Sequence, residues 1–264
     1  MQPFRLTHGP PVALAVQLWD SLYDRQEDAG FDVTLQLEGG SVRPLTAQSS
    51  GAGIFWFRSL PGAASGEPRG VTLRVTDRQW RFLPVTLSLR LPEGPMPDVL
   101  EPQGPSLWRL QLYSSPVRRD LSGMAVVRAT LWDAEADRPA AWALLTVEAG
   151  ENRYTGLADG EGRLCLPFPY PVLRRPLLTE GAGPVPLYQH TWPAAVRIAY
   201  SALPPTPDLA PIMAQPPGLI CPDPDERLDS WSIRLPFGSE LLLRSGQRPV
   251  LLVRPARGTE SGDS

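Results

Sequence analysis

The side chains that usually carry catalysis are scarce in this chain of 264 residues. It has two histidines, His8 and His190, and two cysteines, Cys165 and Cys221, while every basic residue is an arginine. Without lysine there is no ε-amine for Schiff-base catalysis, a phosphate-loop site or an isopeptide crosslink. The histidine and cysteine spacings of common zinc sites are also absent. We therefore expect no catalytic residue, no metal site, no small-molecule cofactor and no enzyme activity.

The histidines and cysteines leave two alternatives open. His190 would be the base of a hydrolase, but it has no partner nearby in the sequence, so we interpret it and His8 as structural. Because the sequence begins without a secretory-signal pattern, we expect a cytoplasmic protein with free thiols. A bridge between Cys165 and Cys221 is the weaker alternative.

Two glycine pairs have the composition of a phosphate loop or a calcium loop. They are Ser-Gly-Ala-Gly over 50–53 and Asp-Gly-Glu-Gly over 159–162. A dinucleotide fingerprint needs a third glycine and a following helix, whereas an apolar strand pattern follows here. A calcium ion needs six to eight oxygen ligands, and few lie nearby. Both elements therefore predict tight hairpin turns in which glycine supplies a positive φ.

The tripeptide Leu-Trp-Asp occurs at 18–20 and again at 131–133. The strand phase places Leu18 and Leu131 inward, so Trp19 and Trp132 point to the opposite face. An outward indole needs cover from a loop of its own domain, from the other domain or from a partner, and these alternatives stay open. We expect the aspartates to begin turns by accepting backbone hydrogen bonds.

Other polar and aromatic residues favour no single function. The acidic cluster of Asp223, Asp225, Glu226 and Asp229 predicts a solvated loop. The arginine pairs 118–119 and 174–175 either anchor a partner's carboxylates or are simply exposed. Eight tryptophans would suit a sugar-binding surface, but they are scattered over several strands, so we predict core positions for most of them, including Trp231.

The elements that must position these residues are strands. Apolar and polar residues alternate repeatedly, as in Val-Thr-Leu-Ser-Leu-Arg-Leu over 85–91. The 32 prolines and 23 glycines exclude a protein of long helices. A short helical turn is predicted near 208–215. We predict an all-β chain with two antiparallel, Ig-like or transthyretin-like β-sandwich domains in tandem, the second elaborated with extra strands and long proline-rich loops.

Composition shifts divide the chain into segments. We predict an N-terminal arm at 1–11, a first sandwich domain at 12–91, a proline-rich linker at 92–106 and a second domain at 107–255. The second domain holds a proline-rich insertion at 203–224, and the tail at 256–264 is polar. The repeated tripeptide, glycine pair and strand-ending proline occur in the same order in both halves, which indicates a tandem duplication.

The second copy resembles the carboxypeptidase-regulatory-like, transthyretin-like β-sandwich family. The resemblance rests on the strand that ends at Asp133, the turn before Pro139 and the Asp-Gly-x-Gly hairpin at 159–162. The first copy departs from the pattern, because Ser50 replaces the aspartate and the proline after the turn is missing. Members of this family are non-catalytic modules, so the resemblance implies no active-site residues.

The two copies together also resemble proteins encoded with phage-tail-like contractile injection particles of bacteria. This second resemblance rests on the segments at 124–133, 168–171 and 235–245. It implies a structural or accessory component of a particle that is assembled in the cytoplasm, with release of that particle from the cell as an alternative location.

Together these observations predict a non-catalytic structural protein. We expect it to dock other protein subunits through its sandwich faces and proline-rich arms. A carbohydrate-binding sandwich module is the alternative. A net charge of −3 gives no basic field for nucleic acid, and no apolar run is long enough to span a membrane.

Overall fold

The computed structural model describes residues 13–38, 43–58, 69–91, 98–104, 107–119, 121–172, 189–205 and 207–255. Within these ranges the regular structure is strand apart from one short helix, α1 (Leu209–Met213), so the predicted all-β class is confirmed. This helix lies within the predicted helical turn. No helix in the described ranges has the length and apolar character needed to span a membrane. The predicted arm at 1–11 and tail at 256–264 lie outside the described residues.

The chain separates into two compact units. The first consists of Met1–Gln79, Pro84–Leu112 and Asp208–Ala210, and the second of Trp80–Leu83, Tyr113–Pro207 and Pro211–Ser264. The strands of the first unit are β1 (Leu14–Asp20), β2 (Arg25–Gln26), β3 (Phe31–Leu37), β4 (Leu45–Thr46), β5 (Gln48–Ser49), β6 (Ile54–Phe57), β7 (Arg69–Asp77), β8 (Val85–Leu91), β9 (Leu100–Pro102) and β10 (Leu107–Leu112).

Two sheets of the first unit pack face to face. One has the strand order β5-β6-β1-β10-β9, with β2 paired to β1, and the other has the order β4-β3-β7-β8. Alternate residues of the strands are buried, including Leu18 and Leu73, because successive side chains of a strand point to opposite faces. Phe31 of β3 meets Phe55 of β6 edge to face, with ring centroids 6.4 Å apart.

The position of β10 corrects one sequence-based assignment. Residues 107–112 were expected to open the second domain, but β10 pairs in parallel with β1 and places Leu110 opposite Leu18. The first unit therefore continues to Leu112, past the predicted linker at 92–106. The alternating pattern of β10 suits either unit, and only the long-range pairing with β1 decides between them.

The second unit holds the remaining strands. They are β11 (Met124–Asp133), β12 (Arg138–Pro139), β13 (Leu144–Ala149), β14 (Asn152–Leu157), β15 (Arg163–Pro169), β16 (Thr191–Ala199), β17 (Gly218–Cys221), β18 (Trp231–Pro236), β19 (Glu240–Leu243) and β20 (Leu251–Pro255). One sheet has the order β12-β11-β20-β17, with β15 and β19 also paired to β11, and the other has the order β14-β13-β16-β18. Leu131, Leu145 and Val196 come from both sheets and share one buried core.

The repeated sequence elements occupy equivalent strands. The Leu-Trp-Asp tripeptides end β1 and β11, and each of these strands pairs with the strand that follows its glycine pair, β6 or β15. Each also pairs in parallel with a strand from late in its own unit, β10 for β1 and β19 and β20 for β11. The four-stranded sheets β4-β3-β7-β8 and β14-β13-β16-β18 match in the same way.

Candidate functional site

The two glycine pairs form the same hairpin turn. The Asp159 carboxylate accepts hydrogen bonds from the backbone N–H groups of Glu161 and Arg163, both at 2.9 Å. The Ser50 hydroxyl accepts the corresponding bonds from residues 52 and 54, at 3.0 and 3.3 Å. Gly53 and Gly162 have φ angles of +70° and +72°. The prediction of structural turns is confirmed, and serine replaces aspartate there without changing the turn.

The aspartates of the repeated tripeptide also begin turns, as predicted. Asp20 accepts a hydrogen bond from the N–H of Leu22 at 3.0 Å. Asp133 accepts bonds from Glu135 and Ala136 at 2.9 and 3.1 Å. Both carboxylates are buried. Their surroundings are therefore those of turn-forming residues, in which the side chain satisfies backbone donors.

The two outward tryptophans each contact a residue of their own unit. The guanidinium of Arg109 lies 4.2 Å from the centre of the Trp19 ring. The indole N–H of Trp132 donates a hydrogen bond to Asp137 at 3.0 Å. Both indoles are partly buried, and each has a contact with a residue of its own unit.

The cysteines and histidines form no catalytic arrangement among the described residues. Cys165 and Cys221 are both buried and free, so the alternative of a disulfide between them is wrong. Burial raises the pKa of the Cys165 thiol, which favours the unreactive neutral form, although neighbouring Arg128 acts in the opposite direction. His190 is partly buried, with its ring 6.2 Å from that of Trp192, and His8 lies outside the described residues.

The remaining charged candidates divide between surface and interior. All four acidic residues of the 223–229 cluster are exposed, as predicted for a solvated loop. Arg118 differs from the expectation of an exposed pair: it is buried, donates to the Ser114 hydroxyl at 2.9 Å and lies 4.6 Å from the centre of the Phe82 ring. The pair at 174–175 lies outside the described residues. No cluster of three or more potential metal ligands occurs in the described part of the chain.

Side-chain hydrogen bonds of Gln215 and Trp142 hold the proline-rich insertion at 203–224. The Gln215 amide donates to the carbonyl of Trp142 at 2.7 Å and accepts from the N–H of Ser201 at 2.8 Å. The indole N–H of Trp142 donates to the carbonyl of Pro205 at 3.2 Å. These bonds lie within the second unit, so part of the insertion packs on the unit that carries it.

Trp80 is the side chain that these contacts leave unexplained. It is 70% exposed, whereas Trp192 is buried and Trp231 packs against the core of the second unit. Its φ of +58° lies in the left-handed region, which a bulky L-residue rarely adopts. Val117 and Leu242 are also exposed apolar side chains of the second unit, and so is Val172. In β19, Leu242 pairs with Arg128, whose guanidinium donates a hydrogen bond to the carbonyl of Pro116.

Comparisons with known proteins give no family. No protein-family model matches the sequence, and no curated protein sequence matches it. The chain is similar to the shaft pilin SpaA of Lactobacillus rhamnosus GG, with 10% identity and a TM-score of 0.25 over 92% of this chain and 98% of that one.

Two further solved structures give comparable values. The C-terminal fragment of the pilus adhesin SpaC from Lactobacillus rhamnosus GG is 10% identical, with a TM-score of 0.26 over 92% of this chain and 97% of that one. A streptococcal ancillary pilin is 10% identical, with a TM-score of 0.24 over 90% of this chain and 63% of that one. At such TM-scores the likenesses carry no inference about function.

Proposed function

We propose that this chain is a non-catalytic structural protein that docks partner subunits, with Trp80 as an anchor. The observation that carries the proposal is an indole that is 70% exposed on a backbone with a φ of +58°. Left-handed backbone costs an L-residue about 1–2 kcal/mol. Strained positions of this kind concentrate at functional sites, and tryptophan is among the residues most enriched at interface hot spots.

The residue that follows Trp80 and the other exposed apolar residues of the second unit favour a protein partner. Arg81 follows it directly, and the exposed Val117 and Leu242 add apolar area elsewhere on the second unit. Aromatic residues and arginine are enriched in protein interfaces, where the apolar part is desolvated and the charged groups form a rim. The carbohydrate-binding alternative uses the same indole, because a sugar ring also stacks on an exposed aromatic face.

Co-purification of the tagged full-length chain from its native cells tests the docking function. We expect Trp80→Ala to weaken capture of partner subunits about thirtyfold, the effect of losing a hot spot of about 2 kcal/mol. Tyr23→Ala is the matched control, because Tyr23 is an aromatic residue that is 37% exposed. Undiminished capture by Trp80→Ala would overturn the proposal, and glycan-array binding that requires Trp80 would favour the alternative.

The finer proposal names the assembly. The sequence resemblance to components of contractile injection particles makes the sheath and tube subunits of such a particle the partners to seek, with assembly in the cytoplasm. The pilin structures lend that assignment no support. Capture of other subunits instead would contradict the particle while leaving the docking function intact.

A further inference from the structure

Two edge strands, β8 and β18, are equivalent in sequence and in position. Residues 87–91 of β8 read Leu-Ser-Leu-Arg-Leu, and residues 231–235 of β18 read Trp-Ser-Ile-Arg-Leu. Each strand is the last of a four-stranded sheet and pairs with one neighbour, β7 or β16. In both, the serine and the arginine are exposed while the apolar residues face inward.

The backbone N–H and C=O groups of Ser232 in β18 point away from its sheet. The N–H of Phe237 donates to the carbonyl of His190 at 3.1 Å, in the same register that pairs Ile233 with Ala194. Hydrogen-bonded pairs alternate along an antiparallel ladder, so residues 231, 233 and 235 bond to β16. The N–H and C=O groups of Ser232 and Arg234 therefore face outward.

A carboxylate binds one outward N–H group on the edge of β8. Ser88, which corresponds to Ser232, donates its outward N–H to Oδ2 of Asp208. Oδ1 of Asp208 accepts the N–H of Ala210 at 3.2 Å, and the intervening Leu209 is buried. Residues 208–210 group with the first unit. The first unit thus shows one way in which an outward N–H of such an edge is bound: by an aspartate that is followed directly by a buried apolar residue.

The edge of β18 differs from that of β8. Within the described residues, no acceptor binds the backbone N–H of Ser232 or of Arg234. An open edge presents a row of backbone groups to any extended chain. Next to it, Arg234 supplies an exposed positive charge, and Trp231 and Ile233 are only partly buried. The edge therefore suits a chain with acidic residues on one face and apolar residues on the other.

We propose that the open edge of β18 receives an acidic segment of a partner protein, whose carboxylate accepts the Ser232 N–H as Asp208 accepts that of Ser88. This inference rests on the proposed docking function and assigns it a second surface. Next to its carboxylate, the segment carries an apolar residue, and this apolar residue packs beside Trp231 and Ile233. Arg234 selects against a basic segment, and added salt weakens the complex.

The probe is a fluorescent peptide with the chain's own sequence from 203 to 213, which contains Asp208 and Leu209. We expect saturable binding to the full-length chain by fluorescence anisotropy. A peptide with Asp208→Asn should bind about tenfold to a hundredfold more weakly, the range for losing a hydrogen bond to a charged group. Equal binding of the two peptides would overturn the inference.

Variants at Ser232 locate the binding. Ser232→Pro removes an N–H that faces away from β16, so no ladder bond is lost, and proline is tolerated at such edge positions. Ser232→Ala keeps the N–H and is the matched control. We expect Ser232→Pro to abolish peptide binding and Ser232→Ala to retain it. If thermal unfolding shows that Ser232→Pro fails to fold, Arg234→Glu replaces it, with the same loss expected.

Failure here is distinguishable from failure of the proposed function. Peptide binding that survives both Ser232→Pro and Arg234→Glu would overturn the β18 edge as the site. Capture of partner subunits that still depends on Trp80 would then leave the docking function in place. Capture that depends on neither Trp80 nor Ser232 would overturn both proposals.

Discussion

Tyr200 donates its phenolic hydrogen to Oδ2 of Asp133 across 2.9 Å, and both residues are buried in the second unit. The other oxygen of Asp133 accepts the two backbone bonds that begin the turn after β11. One carboxylate therefore joins the turn of the repeated tripeptide to the residue that follows β16. Removing a donor to this carboxylate lowers the free energy of unfolding, because a buried carboxylate needs hydrogen bonds from the protein in place of those that water would give it.

The Tyr200–Asp133 bond predicts a loss of stability at high pH. Burial, reinforced by the bond to Asp133, raises the pKa of Tyr200 from 10.0 to about 12. The folded state thus holds this proton more tightly than the unfolded state. The contribution of this proton to the free energy of unfolding is complete below about pH 10 and disappears as the pH rises through about 12.

Denaturant unfolding at a series of pH values measures this loss. We expect Tyr200→Phe to flatten the decline in the free energy of unfolding between about pH 10 and 12. Burial also raises the pKa of Tyr113 to about 12, so Tyr113→Phe should flatten the same interval and the double variant should flatten it further. Parallel curves for the wild type and the double variant would contradict the assignment.

Gln215 predicts a large cost for one buried amide. Gln215→Ala leaves the carbonyl of Trp142 and the N–H of Ser201 without these partners. Both residues are partly buried, and an unsatisfied buried polar group costs about 1–3 kcal/mol. We expect the free energy of unfolding to fall by about 3 kcal/mol in chemical denaturation. Gln36→Ala is the control, since Gln36 is exposed, and its effect should stay within about 0.5 kcal/mol. Equal effects would show that Gln215 does not secure the insertion.

These cases separate what the sequence could predict from what it could not. The turns at Asp20, Asp133 and Asp159 were predictable. In each of them the aspartate accepts a hydrogen bond from the backbone N–H two residues later, and the formation of such a bond depends only on the local sequence. The membership of β10 in the first unit and the burial of Arg118 depend on long-range packing, which alternation does not encode. The bonds of Gln215 were missed for the same reason, as a lone glutamine carries no pattern.

The glycine pairs allow strain and steric conflict to be measured separately. Gly51 and Gly162 have φ angles of +70° and +72°, so alanine is strained at either position. A Cβ at Gly162 would lie 2.4 Å from the carbonyl oxygen of Leu131, whereas nothing lies within 4 Å of one at Gly51. We expect Gly51→Ala to lower the free energy of unfolding by about 1 kcal/mol and Gly162→Ala by well over twice that amount. Equal losses in thermal unfolding would contradict the close approach at Gly162.

Two substitutions of Trp80 distinguish an anchor held under strain from an incidental surface residue. Trp80→Ala and Trp80→Gly both remove the indole, so both should weaken partner capture to the same extent. Only glycine relieves the φ of +58°, so Trp80→Gly should be the more stable of the two by about 1 kcal/mol in denaturant unfolding. If the two variants were equally stable, the backbone at Trp80 would carry no strain. If the glycine variant retained capture, binding would depend on the backbone at this position and not on the indole.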